Sequence, residues 1–297
     1  MIILVSKSDG EQSTDEVIDW LFFKNQEHTR INGSDFLEGC FSVTLAKGFK
    51  KYNIHNNRNI ENLFNVKRNR GSLWFRRWYD GTVNLSKKNL FNFGSKKKDA
   101  IDTSVILNDH MKNERRVISD WILCHLQKNN RSLNRCGFKQ INKLDILEQA
   151  AGLGLDIPET IVTNSKSELI RFFKTHKRIV TKAMSDGIAI NVKGGTGNAM
   201  MYTEEVTLDF INKLSQQFGV SLFQSLLEKE FELRIFYLNC KFYAMAIFSQ
   251  SNTKTMIDFR RYDYNKFNRW VPFILPKKVE KKLEKLLCYV PHWSRVE

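Results

Sequence analysis

The chain lacks any apolar run approaching the roughly 20 residues that a bilayer-spanning helix needs, so it offers no membrane helix. Its opening, MIILVSKSDG, turns polar too soon for a signal peptide and reads as a first β-strand. Cys40, Cys124, Cys136, Cys240 and Cys288 are scattered, odd in number and without a CxxC pair. That excludes a disulfide framework and a cysteine zinc site, and predicts a reducing, cytoplasmic setting. The six histidines form no ligand-spaced cluster. The pattern GxxxxGK[ST] is absent, which excludes a Walker A phosphate loop. No internal repeat is visible.

What is present is a 297-residue chain that is 42% hydrophobic, a globular composition long enough for two domains. Its formal net charge is +15, a surface that attracts polyanions such as nucleotides, acidic peptides or nucleic acid. The basic runs are short and dispersed: Lys47–Lys51, Lys67–Arg70, Lys96–Lys98 and Lys277–Lys285. A duplex-binding protein more often concentrates charge on one element.

The pattern predicts an α/β order. Ile2–Val5 is a strand. Ser13 with Glu16 forms a capping box, opening a helix whose apolar face is Val17, Ile18, Leu21 and Phe22. Thr29–Ile31 and Ser72–Trp78 are further strands, the latter carrying paired arginines among aromatics. Residues 100–126 read as a helix with Val117, Ile118, Trp121, Ile122 and Leu126 at helical spacing. The polar stretch from Gln127 to Arg135 is the best candidate boundary. Asn142-Lys143 precedes a helix that Gly152 and Gly154 end, and Asp156-Ile157-Pro158 starts a strand. Ser165 with Glu168 is a second capping box; Arg178–Ala183 is a strand; Ser185–Gly197 is a loop with four glycines, holding a short strand near Ile188–Val192. Thr207 caps a helix terminated by Gly219.

The stretch QSLLEKEFELRIFYL, Gln224 to Leu238, carries the most chemistry. It reads as one strand running through a charged turn into a second, with a hairpin turn at Asn239-Cys240. Alternation puts Phe231, Leu233, Ile235 and Tyr237 on one face and Glu232 with Arg234 on the other. An arginine fork matches phosphoryl oxygens; the plainer alternative is a cross-strand ion pair. On the strand near residue 180, Val180, Lys182 and Met184 share a face. A lysine between two apolar side chains suits a nucleotide cleft; the alternative is a surface lysine on an amphipathic strand.

The ordered set STDEVIDWL, SLWFRRW, NKLDILEQAAGLGLDIPETIVT, IVTKAMSDG, QSLLEKEFELRIFYL and DFRRYDYNKFNRWVPFILP covers nearly the whole chain. It resembles the ATP-grasp superfamily, in particular its grasp-with-spasm peptide maturases among the graspetide, or microviridin-type, ω-ester ligases. The resemblance implies an α/β (α+β) ATP-grasp fold, C-terminally truncated: a pre-ATP-grasp domain over residues 1–126, a lid or central subdomain over 136–222, and an incomplete C-terminal antiparallel-sheet subdomain over 223–297. It implies that Lys143 and Lys182 contact nucleotide phosphates under a flexible glycine loop. It implies that Gln224 to Glu228 form the hinge, with backbone groups near Leu226 and Leu227 on the adenine edge and Glu228 or Gln224 on its amino group. Glu232 is placed with the nucleotide-binding residues, and Arg234 on the transferring γ-phosphate. Asp258 and Arg260, two apart and on one face in an extended segment, would bind the peptide carboxylate or place the acyl phosphate; a local ion pair is the alternative. Arg76 and Arg77 would steer acidic peptide side chains, or stand as inert strand-edge charges.

The implied reaction is ATP-dependent, forming ADP through an acyl phosphate. Asp or Glu side chains of a ribosomal precursor peptide, with leader and core, are phosphorylated. Thr or Ser hydroxyls then close ω-ester rings. ATP and Mg²⁺ are the implied cofactors, and a radical-SAM/SPASM protein and a homodimer the further partners. The family places Mg²⁺ ligands on strands beyond the lysine-rich helix, whereas here KKVEKKLEKLLCYVPHWSRVE offers no such Asp, Glu or Asn set. The sequence therefore gives no metal ligand. It predicts a truncated or frame-shifted member, and the alternative function is a degenerate member that binds peptide or nucleotide without turnover. A nucleic-acid binder stands behind both, supported by net charge and by aromatics near arginines.

Overall fold

The computed structural model describes residues 1–8, 10–37, 40–47, 49–55, 71–78, 100–134, 142–185, 189–191 and 198–289. Most of the glycine-rich stretch 185–197, and the basic residues 67–70 and 96–98, lie outside them. The chain divides into two compact units, one from Met1 to Lys139 and one from Gln140 to Val290.

The first unit is built on a parallel sheet of β1 (Ile2–Ser6), β2 (His28–Asn32), β5 (Ser72–Phe75) and β6 (Arg131–Ser132) in the order β2-β1-β5-β6. β3 (Cys40–Ala46) and β4 (Phe49–His55) form an antiparallel pair. Helices are α1 (Gln12–Phe23), the short α2 (Gly33–Leu37) and the long α3 (Ala100–Asn129). The core joins Ile3, Val5, Ile31 and Leu73 of the sheet to Ile122, Leu123 and Leu126 of α3. Two apolar residues expected in helix faces are exposed instead, Val117 and Phe22. Helix α1 starts with Glu11 in the N-cap position, not Ser13, and without a side-chain cap. β5 stops at Phe75, three residues short of its expected end, because the N–H groups of Arg76 and Arg77 both donate to the Val5 carbonyl.

The second unit opens with α4 (Lys143–Gly152), capped by Asn142, whose side chain accepts from Leu144 N at 3.0 Å. Gly154, at φ +70°, ends it in the left-handed region that favours glycine. An antiparallel sheet follows, ordered β11-β8-β12-β7 from β7 (Thr160–Ser165), β8 (Ile179–Lys182), β11 (Glu204–Val206) and β12 (Gln217–Ser225). One face packs on α5 (Lys166–His176) and α6 (Leu208–Lys213) through Leu169, Ile179, Val206, Ile211 and Phe223. β9 (Ala189–Asn191) and β10 (Asn198–Met200) pair with each other. Thr207 caps α6 as expected, accepting from Phe210 N. Ser165 does not cap α5 with its side chain; its hydroxyl meets that of Ser167. Gly219 ends no helix: it lies inside β12, since α6 stops at Lys213.

A second antiparallel sheet runs β13-β14-β15 from β13 (Glu232–Leu238), β14 (Lys241–Phe248) and β15 (Arg269–Phe273). β13 and β14 join through Asn239 and Cys240, both at positive φ, the two-residue geometry that matches strand twist. Helix α7 (Lys277–Tyr289) closes the described chain. Among the described residues no helix is long and apolar enough to cross a membrane.

Candidate functional site

The predicted site residues of the second unit cluster around β8, β12, β13 and the turn-rich segment between β14 and β15. Lys143, at the first turn of α4, donates Nζ to the carbonyls of Ala183 (2.9 Å) and Ser185 (2.7 Å) just past β8. Lys182 closes β8 on the sheet face opposite the helices. It shares that face with Val180 and, by register, with Leu222 and Gln224 of β12. Burial lowers the Lys182 pKa, and the charges of Lys143 and Arg260 lower it further. Three cations thus share one neighbourhood, with a field that calls for an anion.

Asp258 and Arg260 lie in a run of turns rather than in an extended segment. They still meet, because a turn does the work that alternation was expected to do. Asp258 Oδ1 accepts from Arg260 N (3.1 Å), a local turn of the kind Asp favours. The two carboxylate oxygens also take the Arg260 fork, at 2.8 Å from Nε and 2.5 Å from Nη2, and Thr203 N donates to Oδ2 at 2.9 Å. Burial alone would raise the carboxyl pKa. The Arg260 fork and the two backbone N–H groups outweigh it and hold the pKa at about 2. Arg260 is raised by the same hydrogen bond, and Glu232 is among the charges that it senses.

Glu232 and Arg234 of β13 do not form the cross-strand ion pair. Glu232 accepts from Lys229 Nζ (3.2 Å) and Ser249 Oγ (3.1 Å). The Arg234 guanidinium lies 4.5 Å from the centroid of the Phe259 ring, which stacks edge-on with Trp270. An aromatic face under a guanidinium fixes its plane and leaves its N–H groups pointing outward. The apolar backing is less complete than the alternation implied: Ile235 is exposed.

The hinge is partly committed already. Gln224 is buried, and its amide nitrogen donates to Thr160 Oγ1 at 2.8 Å. Leu226 N donates to Arg178 O at 3.0 Å, so that N–H is not available to a ligand. Leu227 is exposed, and its backbone makes no hydrogen bond among the described residues. Glu228 is also exposed, 3.5 Å from Arg178 Nη1. The Arg178 guanidinium bonds Glu205 in bidentate fashion at 2.8 and 3.0 Å.

The positioning role of the segment from Ser249 to Asn268 escaped the sequence reading. Thr255 Oγ1 donates toward Ser249 O (2.9 Å) and Asn268 Oδ1 (3.0 Å), Asn252 Nδ2 donates to Asp263 Oδ2 (2.9 Å), and Lys266 Nζ to Ser251 O (2.6 Å). This stitching fixes the turns that carry Asp258, Phe259 and Arg260. Its signal was the density of Ser, Asn, Thr and Asp in SQSNTKT and DYNKFN, which are turn formers through side-chain-to-backbone bonds. Next to it, Arg261 pairs with Glu204 and lies over Tyr202.

In the first unit, Arg76 and Arg77 follow β5, an interior strand between β1 and β6, so they are not strand-edge charges. Both face the buried Glu11, at 3.6 and 2.8 Å. Among the described residues no group of three or more His, Cys, Asp or Glu side chains is placed to hold a metal ion.

No protein-family model matches the chain, and no curated protein matches it by sequence. Solved structures do. A Chryseobacterium gregarium RiPP-associated ATP-grasp ligase, solved with ADP and a leader and core peptide, superposes with a TM-score of 0.71 at 23% identity, covering 97% of this chain and 80% of that one. The macrocyclase MdnC from Microcystis aeruginosa MRC, bound to the precursor peptide MdnA, gives 0.69 at 25% identity, with 97% and 83% coverage. The ATP-grasp ligase PsnB, complexed with a minimal precursor, Mg and ADP, gives 0.62 at 16% identity, with 98% and 81% coverage. The fold is therefore the ATP-grasp fold. Within it, the architecture is the one shared by ligases that mature ribosomal peptides.

Proposed function

We propose that the protein is an ATP-dependent carboxylate–hydroxyl ligase acting on a ribosomal precursor peptide. The observation that carries the reading is the convergence of Lys143, Lys182 and Arg260 beside the exposed Arg234 fork, on an ATP-grasp frame. Residues 136–222 act as lid and 223–297 as base. Lys143 and Lys182 take nucleotide phosphate oxygens, and the open backbone of Leu227 with Glu228 takes the adenine edge. Gln224, buried against Thr160, supports the hinge from beneath. Glu232 orders Lys229 and Ser249 at the start of β13.

An Asp or Glu carboxylate oxygen of the peptide attacks the γ-phosphorus of ATP, and ADP leaves. A Thr or Ser hydroxyl oxygen then attacks the acyl carbon, phosphate leaves, and the hydroxyl proton passes to solvent. Arg234 meets the charge on the transferring phosphoryl group, where positioning and electrostatics do most of the work. Arg260 holds the reacting carboxylate, and Asp258 is a positioning residue that keeps Arg260 in place. Arg76 and Arg77 contact acidic side chains of the peptide.

The nucleotide is ATP and its companion ion Mg²⁺, the pairing seen with ADP in PsnB. Among the described residues no group of three or more His, Cys, Asp or Glu side chains is placed to hold the ion; Lys143, Lys182 and Arg234 meet phosphate charge in this reading. A radical-SAM/SPASM partner, a homodimer and a cytoplasmic location belong to the same reading; co-purification, sedimentation and fractionation test them.

The decisive experiment is mass spectrometry of a Thr- and Glu/Asp-rich precursor incubated with the protein, ATP and Mg²⁺. Each ester lowers the peptide mass by one water, and Arg234→Ala abolishes the change. A folded protein that binds ATP and precursor yet yields no mass loss leaves the degenerate, non-turnover reading in its place.

A further inference from the structure

The parallel sheet of the first unit runs β2-β1-β5-β6. The chain leaves β1 toward β2 on one side, and β5 lies on the other. The carboxyl ends of β1 and β5 therefore flank a topological switch point, where open α/β sheets receive ligands. A charged cluster stands there. Glu11 holds the N-cap position of the 12-residue helix α1 without capping it. Its carboxylate turns instead to two consecutive arginines, Oε1 lying 2.8 Å from Arg77 Nε and Oε2 3.6 Å from Arg76 Nε. Consecutive residues of a strand point to opposite faces. Here the N–H groups of Arg76 and Arg77 both close on Val5 O, at 2.8 and 3.3 Å, and that step lets both side chains reach one acid.

Two features separate this cluster from a plain structural ion pair. The Glu11 side chain is 4% exposed, yet its Oε2 is buried with no hydrogen bond among the described residues; at 3.6 Å Arg76 neutralises charge without satisfying the oxygen. The Arg76 and Arg77 side chains remain 33% and 51% exposed. Two guanidiniums against one carboxylate leave an excess positive charge, and the amino end of α1 adds to it. We infer that Glu11, Arg76 and Arg77 form a peptide-binding subsite: the outward forks take the carboxylate of an acidic side chain, and the buried Glu11 carboxylate holds both forks in place from beneath. The inference rests on the reading of Arg76 and Arg77 as peptide contacts and adds the residue that arranges them.

The test uses the full chain and a fluorescent peptide of alternating Thr and Glu, its Glu→Gln counterpart, and inorganic phosphate as competitor, read by anisotropy. Arg77→Gln leaves Arg76 to neutralise Glu11; it weakens the acidic peptide about tenfold or more, the scale of a lost charged hydrogen bond, and leaves the Gln peptide unchanged. Glu11→Gln keeps an acceptor oxygen and frees both arginines, so it tightens the acidic peptide several-fold. Wild-type affinity in both variants, equal binding of the Gln peptide, or displacement by phosphate at concentrations matching the peptide would each overturn the subsite. ATP binding, followed on the same samples, stays at wild-type level; its absence from every sample, with the Arg77 dependence intact, would sink the ligase reading and leave this one standing.

Discussion

Replacing Asp258 with Asn tests whether Arg260 is held by a charge or merely by shape. The carboxyl pKa lies at about 2 in the folded chain against an ordinary 3.8. At about 1.4 kcal/mol per pH unit, that difference gives the ionised group about 2 kcal/mol of stabilisation near neutral pH. Because the folded value is depressed, the contribution is complete above about pH 4, fades as pH falls toward 2, and vanishes below both values. Asn keeps the size but offers the Arg260 fork one oxygen and a competing donor. The variant is therefore expected to lose about 2 kcal/mol at pH 7, which shifts a urea midpoint by about 1 M for a unit of this size with m near 2 kcal/mol/M. Trp270 is the sole tryptophan from Gln140 to Val290 and reports that unit's unfolding. The backbone amide of Thr203, which donates to Asp258, is expected to lose hydrogen-exchange protection. Measured at pH 7 and again near pH 3, the gap between wild type and variant should shrink. An unshifted midpoint at pH 7, or a gap that is the same at both pH values, refutes the argument.

Lys182→Met is expected to raise the unfolding temperature of the nucleotide-free protein while removing ATP binding, since burial and two cationic neighbours burden the charge it deletes; calorimetry with and without ATP checks both halves. In the wild type, ATP affinity should decline on the alkaline side below the ordinary lysine value of 10.5, because the proton of Lys182 is held less tightly; titration calorimetry across pH reads it. Arg178→Ala should weaken ATP several-fold by releasing Glu228 and Glu205, and a variant with wild-type affinity would remove Glu228 from the adenine site. Leu169→Ala, in the core between α5 and the sheet, should cost about 2–5 kcal/mol, seen as a lower urea midpoint.

Local signals were legible wherever one short segment decides the structure. Asn142 and Thr207 cap their helices, Gly154 takes the positive φ, and Asn239-Cys240 makes the hairpin turn. Lys182 and Arg234 of the proposed site stand out in the sequence, since each is a charge on a strand between apolar residues. What could not be read is which distant group claims a side chain. Glu11 displaces Ser13 at the start of α1, where the arginines that neutralise its carboxylate arrive from beyond β5. Leu226 N–H is taken by Arg178, and Glu232 by Lys229 and Ser249, contacts that exist only once the strands are in register. Gly219 resembled a helix stop because glycine ends helices and also sits in strands at irregular pairing. Here the register of β12 against β7 shifts between Gln217 and Ser221.

The sheet β11-β8-β12-β7 draws every strand, and both helices on its buried face, from one uninterrupted stretch, Thr160 to Ser225. Chains emerge from the ribosome amino end first and fold in units as they appear. This sheet can therefore close while Arg234, Asp258 and Arg260 are still unsynthesised. Lys182 takes up its half-buried place on the finished platform before the acid-and-arginine turn reaches it. The later segment, its turns held by their own side-chain bonds, meets a surface whose charge is already set.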